Sequence, residues 1–167
     1  MSKLALIRKK IFTYTDADYR RMLSIWQFQG KKIVFTNGCF DILHLGHIDY
    51  LSKAKDLGDL LVIGLNTDAS VSRLKGENRP IQDEVSRAMV LASLGFVDAV
   101  VFFGEDTPYN LIKTTQPDIL VKGADYKPED IVGYDIVTKK GGKVVTISFL
   151  PGYSTSAIES KIRQQKG

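Results

Sequence analysis

Five runs of apolar residues, at 33–35, 60–65, 99–103, 119–121 and 144–149, constrain this chain more than any other feature. They are apolar at consecutive positions rather than alternate ones, the pattern of strands covered on both faces. Between them lie segments with helical spacing and readable ends. Asp83 and Glu84 open one, and Gly95 closes it. Thr107 and Pro108 open another, with Pro at the first helical position and Pro117 just past the end. Pro128, Glu129 and Asp130 open a third, which Lys139, Lys140 and Gly141 end. Ser156, Ala157, Ile158 and Glu159 read as a capping box for the last helix. This alternation predicts an α/β protein, a doubly wound five-stranded parallel sheet with helices on both faces. Residues 1–31 read as an N-terminal helical extension packing on the domain. Thr15 is its cap, and Tyr19, Met22, Leu23 and Trp26 form its apolar stripe. Residues 32–167 read as a single domain without a linker or internal repeat.

Charge and cysteine content exclude several classes. The net charge is +4, but no run of five or six basic residues occurs. That favours a small anionic substrate over nucleic acid. A single cysteine, Cys39, rules out an internal disulfide. No signal-peptide core and no apolar span of about 18 residues is present, so no membrane partner is expected and the cytoplasm is the expected location.

In such a sheet, ligands bind beyond the carboxyl ends of the strands, where the strand order reverses. The loop after the first apolar run is Thr36-Asn37-Gly38-Cys39-Phe40-Asp41-Ile42-Leu43-His44-Leu45-Gly46-His47. It holds both histidines of the chain and leads into a helix. A helix N-terminus offers unpaired N–H groups and the positive end of its dipole to phosphate. Gly46 allows close backbone approach, and His44 and His47 share one face of the first turn. Paired imidazoles there suit donation to the α-phosphate and bridging oxygen of a triphosphate.

Three further loops carry unusual polar clusters. After the second run come Asn66 and Asp68, then Arg73, Lys75 and Arg79 around Gly76. These cations suit a loop closing over polyphosphate, or else a solvated surface loop. After the fourth run come Lys122, Gly123, Asp125 and Tyr126. A lysine leaving a buried strand needs an anion or open solvent; Asp125 suits sugar hydroxyls and Tyr126 a ring, or the segment is only a turn. After the fifth run come Tyr153, Ser154, Thr155 and Ser156. Three hydroxyls at a helix start suit phosphate oxygens, or simply cap the helix.

The histidines also admit a metal site with Cys39 or Asp41, a Cys39 nucleophile beside His47, and two purely structural roles. Zinc needs three or four convergent ligands, and no third histidine and no H-E-x-x-H exist. Neither a P-loop nor a G-x-G-x-x-G fingerprint occurs.

The string Phe40-Asp41-x-x-His44-x-Gly46-His47, between strand and helix, resembles the signature of the HxGH nucleotidyltransferases, the cytidylyltransferase-like superfamily. With Leu74-Lys75-Gly76-x-x-Arg79-Pro80, Val121-Lys122-Gly123-x-Asp125-Tyr126 and Ser154-Thr155, the chain is most similar to heptose 1-phosphate adenylyltransferases, including the C-terminal half of bifunctional heptose kinase/adenylyltransferases. The resemblance implies a Rossmann-like fold and transfer of AMP from ATP to heptose 1-phosphate, with release of pyrophosphate. It implies Mg²⁺ carried by the triphosphate, with no protein metal site, and a homodimer. It makes His44, His47 and Lys75 the catalytic candidates. Asn37, Gly38, Cys39, Phe40, Asp41, Gly46, Arg79, Lys122, Gly123, Tyr153, Ser154, Thr155 and Ser156 fall on the nucleotide. Asn66, Asp68, Lys75, Arg87, Asp125 and Tyr126 fall on the sugar phosphate. The alternatives are a CTP-dependent cytidylyltransferase acting on glycerol 3-phosphate, and a non-catalytic nucleotide-binding regulator. Cys39, and the absence of an Arg just before Ser154-Thr155, weaken the CTP alternative.

Overall fold

The computed structural model describes residues 1–164. It forms one parallel sheet of six strands, β1 (Ile11–Thr13), β2 (Ile33–Gly38), β3 (Leu60–Asn66), β4 (Ala99–Phe103), β5 (Ile119–Gly123) and β6 (Lys143–Ile147). The order across the sheet is β1-β4-β3-β2-β5-β6. The chain steps outward from β2 through β3 to β4, then returns to the other side of β2 for β5 and β6. The strand order therefore reverses at β2 and β5, whose carboxyl ends open into one crevice.

Among the described residues eight α-helices cover the sheet: α1 (Lys3–Arg8), α2 (Ala17–Phe28), α3 (Leu45–Lys55), α4 (Asp68–Lys75), α5 (Glu84–Ser93), α6 (Tyr109–Thr115), α7 (Tyr134–Lys139) and α8 (Thr155–Gln164). Alternate strand residues feed two cores. Val34, Leu61 and Ile63 pack with Leu51 and Ala54 of α3 and Ala88 and Leu91 of α5. Ile33, Phe35 and Val62 pack with Tyr19 and Leu23 of α2, Leu111 and Ile112 of α6, and Val137 of α7. Both faces are dry, which is why the runs are apolar without alternation. Among the described residues no helix is long and apolar enough to cross a membrane.

The expected five strands become six. Residues 1–31 supply β1, which pairs in register with β4 at Ile11 and Val100, Phe12 and Val101, and Thr13 and Phe102. Three residues on an edge carry too little periodicity to announce a strand. The segment after β3 is not a continuous loop. Residues 68–75 are helical, with the Thr67 hydroxyl accepting from the Ser70 N–H at 3.4 Å. The third expected helix is interrupted: a 3₁₀ turn at Pro128–Asp130 is separated from α7 by Gly133, at φ 91°. The last helix starts earlier than its capping-box reading. Ser154, not Ser156, accepts from the Ala157 N–H at 3.1 Å, and Glu159 pairs with Arg79 instead of turning back on the cap.

Candidate active site

Strand β2 ends at Gly38, and the chain turns at Cys39 and Phe40 before α3 begins. Phe40 sits at φ +45°, a left-handed conformation rare for a large side chain. It is nonetheless 8% exposed and meets the His47 ring edge-on, with centroids 5.3 Å apart. Asp41, 3% exposed, pins the turn from the other side. Its carboxylate accepts from the Ile81 and Gln82 N–H groups at 2.9 Å and from Arg79 at 2.8 Å. Burial alone raises the Asp41 carboxyl, but those N–H groups and the guanidinium outweigh it and hold it below the usual carboxylate range.

His44 is the N-cap of α3, and no side chain caps that helix. Its first turn carries no acidic residue. The two imidazoles stack, with centroids 3.8 Å apart and planes 20° apart. Gly46 brings them against the start of α8: a Cβ there would meet the Tyr153 Cβ at 3.0 Å and the His44 ring at 3.1 Å. Burial, the neighbouring His44 and the Lys75 ammonium hold the His47 imidazole down at about 4, with the Ile42 carbonyl acting the other way. Burial also lowers His44. Both rings are therefore neutral near pH 7. The Nδ1 atoms of both rings and the Oδ1 of Asn37 are enclosed without a hydrogen-bond partner. Unsatisfied buried polar atoms cost about 1–3 kcal/mol each, so three at one strand end mark a place prepared for a polar ligand.

The imidazole pair stands between two cavities. One, of about 330 Å³, is lined by Asn37, Gly38, Cys39, His47, Tyr50, Lys75, Lys122, Gly123, Asp125, Tyr126, Phe149 and Thr155, along with Phe40 and Asp41. The other, of about 250 Å³, is lined by His44, Leu45, Gly152, Tyr153, Ser154, Ala157, Ile158 and Lys161. Lys122 leaves the end of β5, and its ammonium lies 6.0 Å from the Tyr126 ring centroid. No hydrogen bond or ion pair engages it among the described residues. Burial pulls it down to about 8, with Asp125 partly countering. A cation desolvated without a partner at the head of a cavity is disposed to take an anion.

Several expected site residues are engaged elsewhere. Arg87 is 1% exposed and spends its donors on the carbonyls of Gln82, Cys39 and Asn66 and on the Asp68 carboxylate, so no donor face reaches the cavity. The expectation that it contacts a phosphate is corrected: sequence shows a cation, not the four acceptors around it. Asp68 is its ion-pair partner at 2.7 Å. Asn66 bonds Ser70 at 2.9 Å and lies 3.9 Å from the Cys39 thiol, beneath the turn rather than in the cavity. Arg79 is held between Asp41 and Glu159. Ser156 is exposed and lines neither cavity. Lys75 does line the first cavity, from the last turn of α4.

Tyr50, Phe149 and Lys161 line the cavities but were not expected there. Tyr50 follows His47 by three residues, so helical spacing alone places it on the same face. It bonds Thr36 at 2.8 Å and packs on Phe149, with ring centroids 5.4 Å apart. Lys161 lies two turns beyond Ser154 on the same side of α8. Phe149 falls in the fifth apolar run of the sequence, but β6 ends at Ile147, and two residues further on its ring lines the cavity.

A parallel sheet whose switch point carries an uncapped helix start, two stacked imidazoles and, among the described residues, cations without ion-pair partners has the parts of a site that binds phosphate groups. The family model described as "Cytidylyltransferase-like" matches residues 35–164, and the chain belongs to that family. It is 58% identical over 139 residues to the bifunctional protein HldE of Geobacter metallireducens, covering 83% of this chain and 28% of that protein. It is 57% identical over 150 residues to HldE of Nitrobacter hamburgensis, covering 90% and 30%. The chain thus spans less than a third of the length of these relatives. Among solved structures, the lipopolysaccharide core biosynthesis protein from Thermoplasma volcanium is 36% identical with a TM-score of 0.61, covering 72% of this chain and 99% of that one. Pantoate-beta-alanine ligase from Francisella tularensis, at 16% identity and a TM-score of 0.59 over 94% of this chain and 78% of that one, shares the fold.

Proposed function

We propose that this chain is a nucleotidyltransferase that joins AMP from ATP to heptose 1-phosphate, yielding ADP-heptose and pyrophosphate. The observation that carries the reading is the stacked, neutral imidazole pair at the uncapped start of α3, set between a cavity with free cations and one with hydroxyls. The relatives named HldE, and the structural relative titled a lipopolysaccharide core biosynthesis protein, support a sugar phosphate as the acceptor.

In this reaction an acceptor phosphate oxygen bonds to the α-phosphorus, and the bond to the bridging oxygen of pyrophosphate breaks. No protein nucleophile is needed; in-line geometry and donors aimed at developing charge are. His44 and His47 supply those donors while adding no net charge that would bind the ground state equally. Lys75 and Lys122 neutralise phosphate oxygens from either side of the cavity, and the α3 dipole adds to both. Tyr126 and Asp125 offer a ring face and an acceptor to the sugar. Mg²⁺ carried by the triphosphate would supply further charge neutralisation when bound. Asp125 is the one lining carboxylate not already engaged by neighbours among the described residues, so the lining suits a metal carried by the ligand better than one held by the protein.

Residues 32–167 act as the transferase domain, with residues 1–31 closing one edge of the sheet. We further assign the protein to the cytoplasm as a homodimer. Pyrophosphate release tests the reading, with ATP or CTP against heptose 1-phosphate and glycerol 3-phosphate. Release only with ATP and heptose 1-phosphate is expected. Release with CTP and glycerol 3-phosphate replaces it with the cytidylyltransferase alternative, and nucleotide binding with no release from any pair makes the chain a regulator.

A further inference from the structure

The buried guanidinium of Arg87 lies beneath the turn that carries the imidazole pair. Its Nη1 donates to the Cys39 carbonyl at 2.6 Å, its Nη2 to the Asn66 carbonyl at 2.9 Å and to Asp68 at 2.7 Å, and its Nε to the Gln82 carbonyl at 3.0 Å. One side chain therefore ties together the turn after β2, the end of β3, the start of α4 and the approach to α5. The sole cis peptide among the described residues is Arg79-Pro80, so the Cys39–Phe40 peptide is trans. In a trans peptide the carbonyl and the following N–H point in opposite directions. With the Cys39 oxygen held by Arg87, the Phe40 N–H is turned away from the buried guanidinium, and it takes no partner among the described residues. Cys39 and Phe40 both line the cavity that His47 and Lys122 share. Phe40 keeps its left-handed backbone there, and such a conformation persists only where its surroundings hold it.

We propose that Arg87 is a positioning residue of this site: by gripping the Cys39 carbonyl it fixes the Cys39–Phe40 peptide plane, so that the Phe40 N–H is presented to an anionic group of the bound nucleotide. The proposal rests on the nucleotide reading of the cavity. It places Arg87 one peptide away from the ligand and in contact with none of it. A lysine at this position keeps the charge but cannot span four acceptors in a planar fork.

Cys39 is the only cysteine of the chain, so its alkylation rate reports on this turn without any nucleotide. The Arg87→Lys variant is expected to melt cooperatively and to alkylate Cys39 about fivefold faster or more. It should bind ATP about tenfold more weakly while the acceptor KM stays at the wild-type value. Wild-type alkylation and wild-type ATP affinity in that variant overturn the proposal, as does an equal rise in both substrates' KM, which marks general loosening. If Arg87→Lys does not fold, Asp68→Asn loosens the same guanidinium from its partly exposed side. It should show the same pattern at about twofold to threefold, and an unchanged pattern there overturns the proposal. Wild-type protein that fails to bind ATP sinks the nucleotide reading instead, and the alkylation rates still report whether Arg87 holds the turn.

Discussion

The His44 and His47 imidazoles lie face to face, 3.8 Å between centroids, with both Nδ1 atoms enclosed and unpaired. Two like rings so placed cannot both be charged, and burial acts on them in the same direction. The His47 proton equilibrium is the first consequence. With its value held at about 4, below the ordinary histidine value, the ring stays neutral from pH 5 upward. Protonation favours the unfolded chain, so this contribution to stability is complete above the ordinary histidine value and is lost as pH falls toward 4 and below. A ring-proton NMR titration should show His47 shifting near pH 4. A midpoint near the ordinary 6.5 contradicts the burial argument.

Lys122 sets the opposite pH limit. Its ammonium titrates near 8, so its charge falls away as pH rises through that value. The KM for the phosphate-bearing ligand at this cavity should climb above pH 8. In Lys122→Met it should be high and flat across the same range. An unchanged pH profile in that variant removes Lys122 from phosphate binding.

Gly46 leaves little room for a side chain. An added Cβ falls 3.0 Å from the Tyr153 Cβ and 3.1 Å from the His44 ring, so Gly46→Ala makes Tyr153 or the imidazole turn give by a few tenths of an ångström. Overpacking of this kind costs about 1–3 kcal/mol of stability. The variant should fold with a lowered melting temperature and lose turnover by more than its stability loss explains; wild-type kcat is the contrary result.

Asp41 holds the 79–82 segment to the turn. Asp41→Ala leaves Arg79 with Glu159 alone and frees the Ile81 and Gln82 N–H groups, a loss of about 3 kcal/mol. Denaturant unfolding measures it. Because the folded carboxyl is held low, the stability it gives is present above the ordinary carboxylate value and fades as pH falls below it.

The alternation of buried strands and helices was plain in the sequence, because both faces of the sheet are dry and each run had to be apolar throughout. What escaped was set by tertiary pairing. Strand β1 exists through its register with β4 at Ile11 and Val100, which three residues cannot advertise. At the site, the positions of His44, His47 and Lys122 are legible because a strand end and a helix start dictate where their side chains go, whereas Lys75 reaches the cavity from the last turn of α4, a helix the sequence does not announce. Arg87 and Arg79 are not legible, because a cation in sequence is identical whether it meets phosphate or, as here, carbonyls and carboxylates already in the fold. In sequence Ser154 is one of three adjacent hydroxyls, and its bond to the Ala157 N–H shows which one caps α8.

The account depends on both imidazoles acting on one phosphorus. Single-turnover pyrophosphate formation in His44→Ala, His47→Ala and the double variant measures that directly. Each single change should cost about 10²–10³ in rate with ATP affinity within a few-fold of wild type, and the double change little more than the worse single. Near-wild-type turnover in either single variant, or losses that multiply fully in the double, contradicts it.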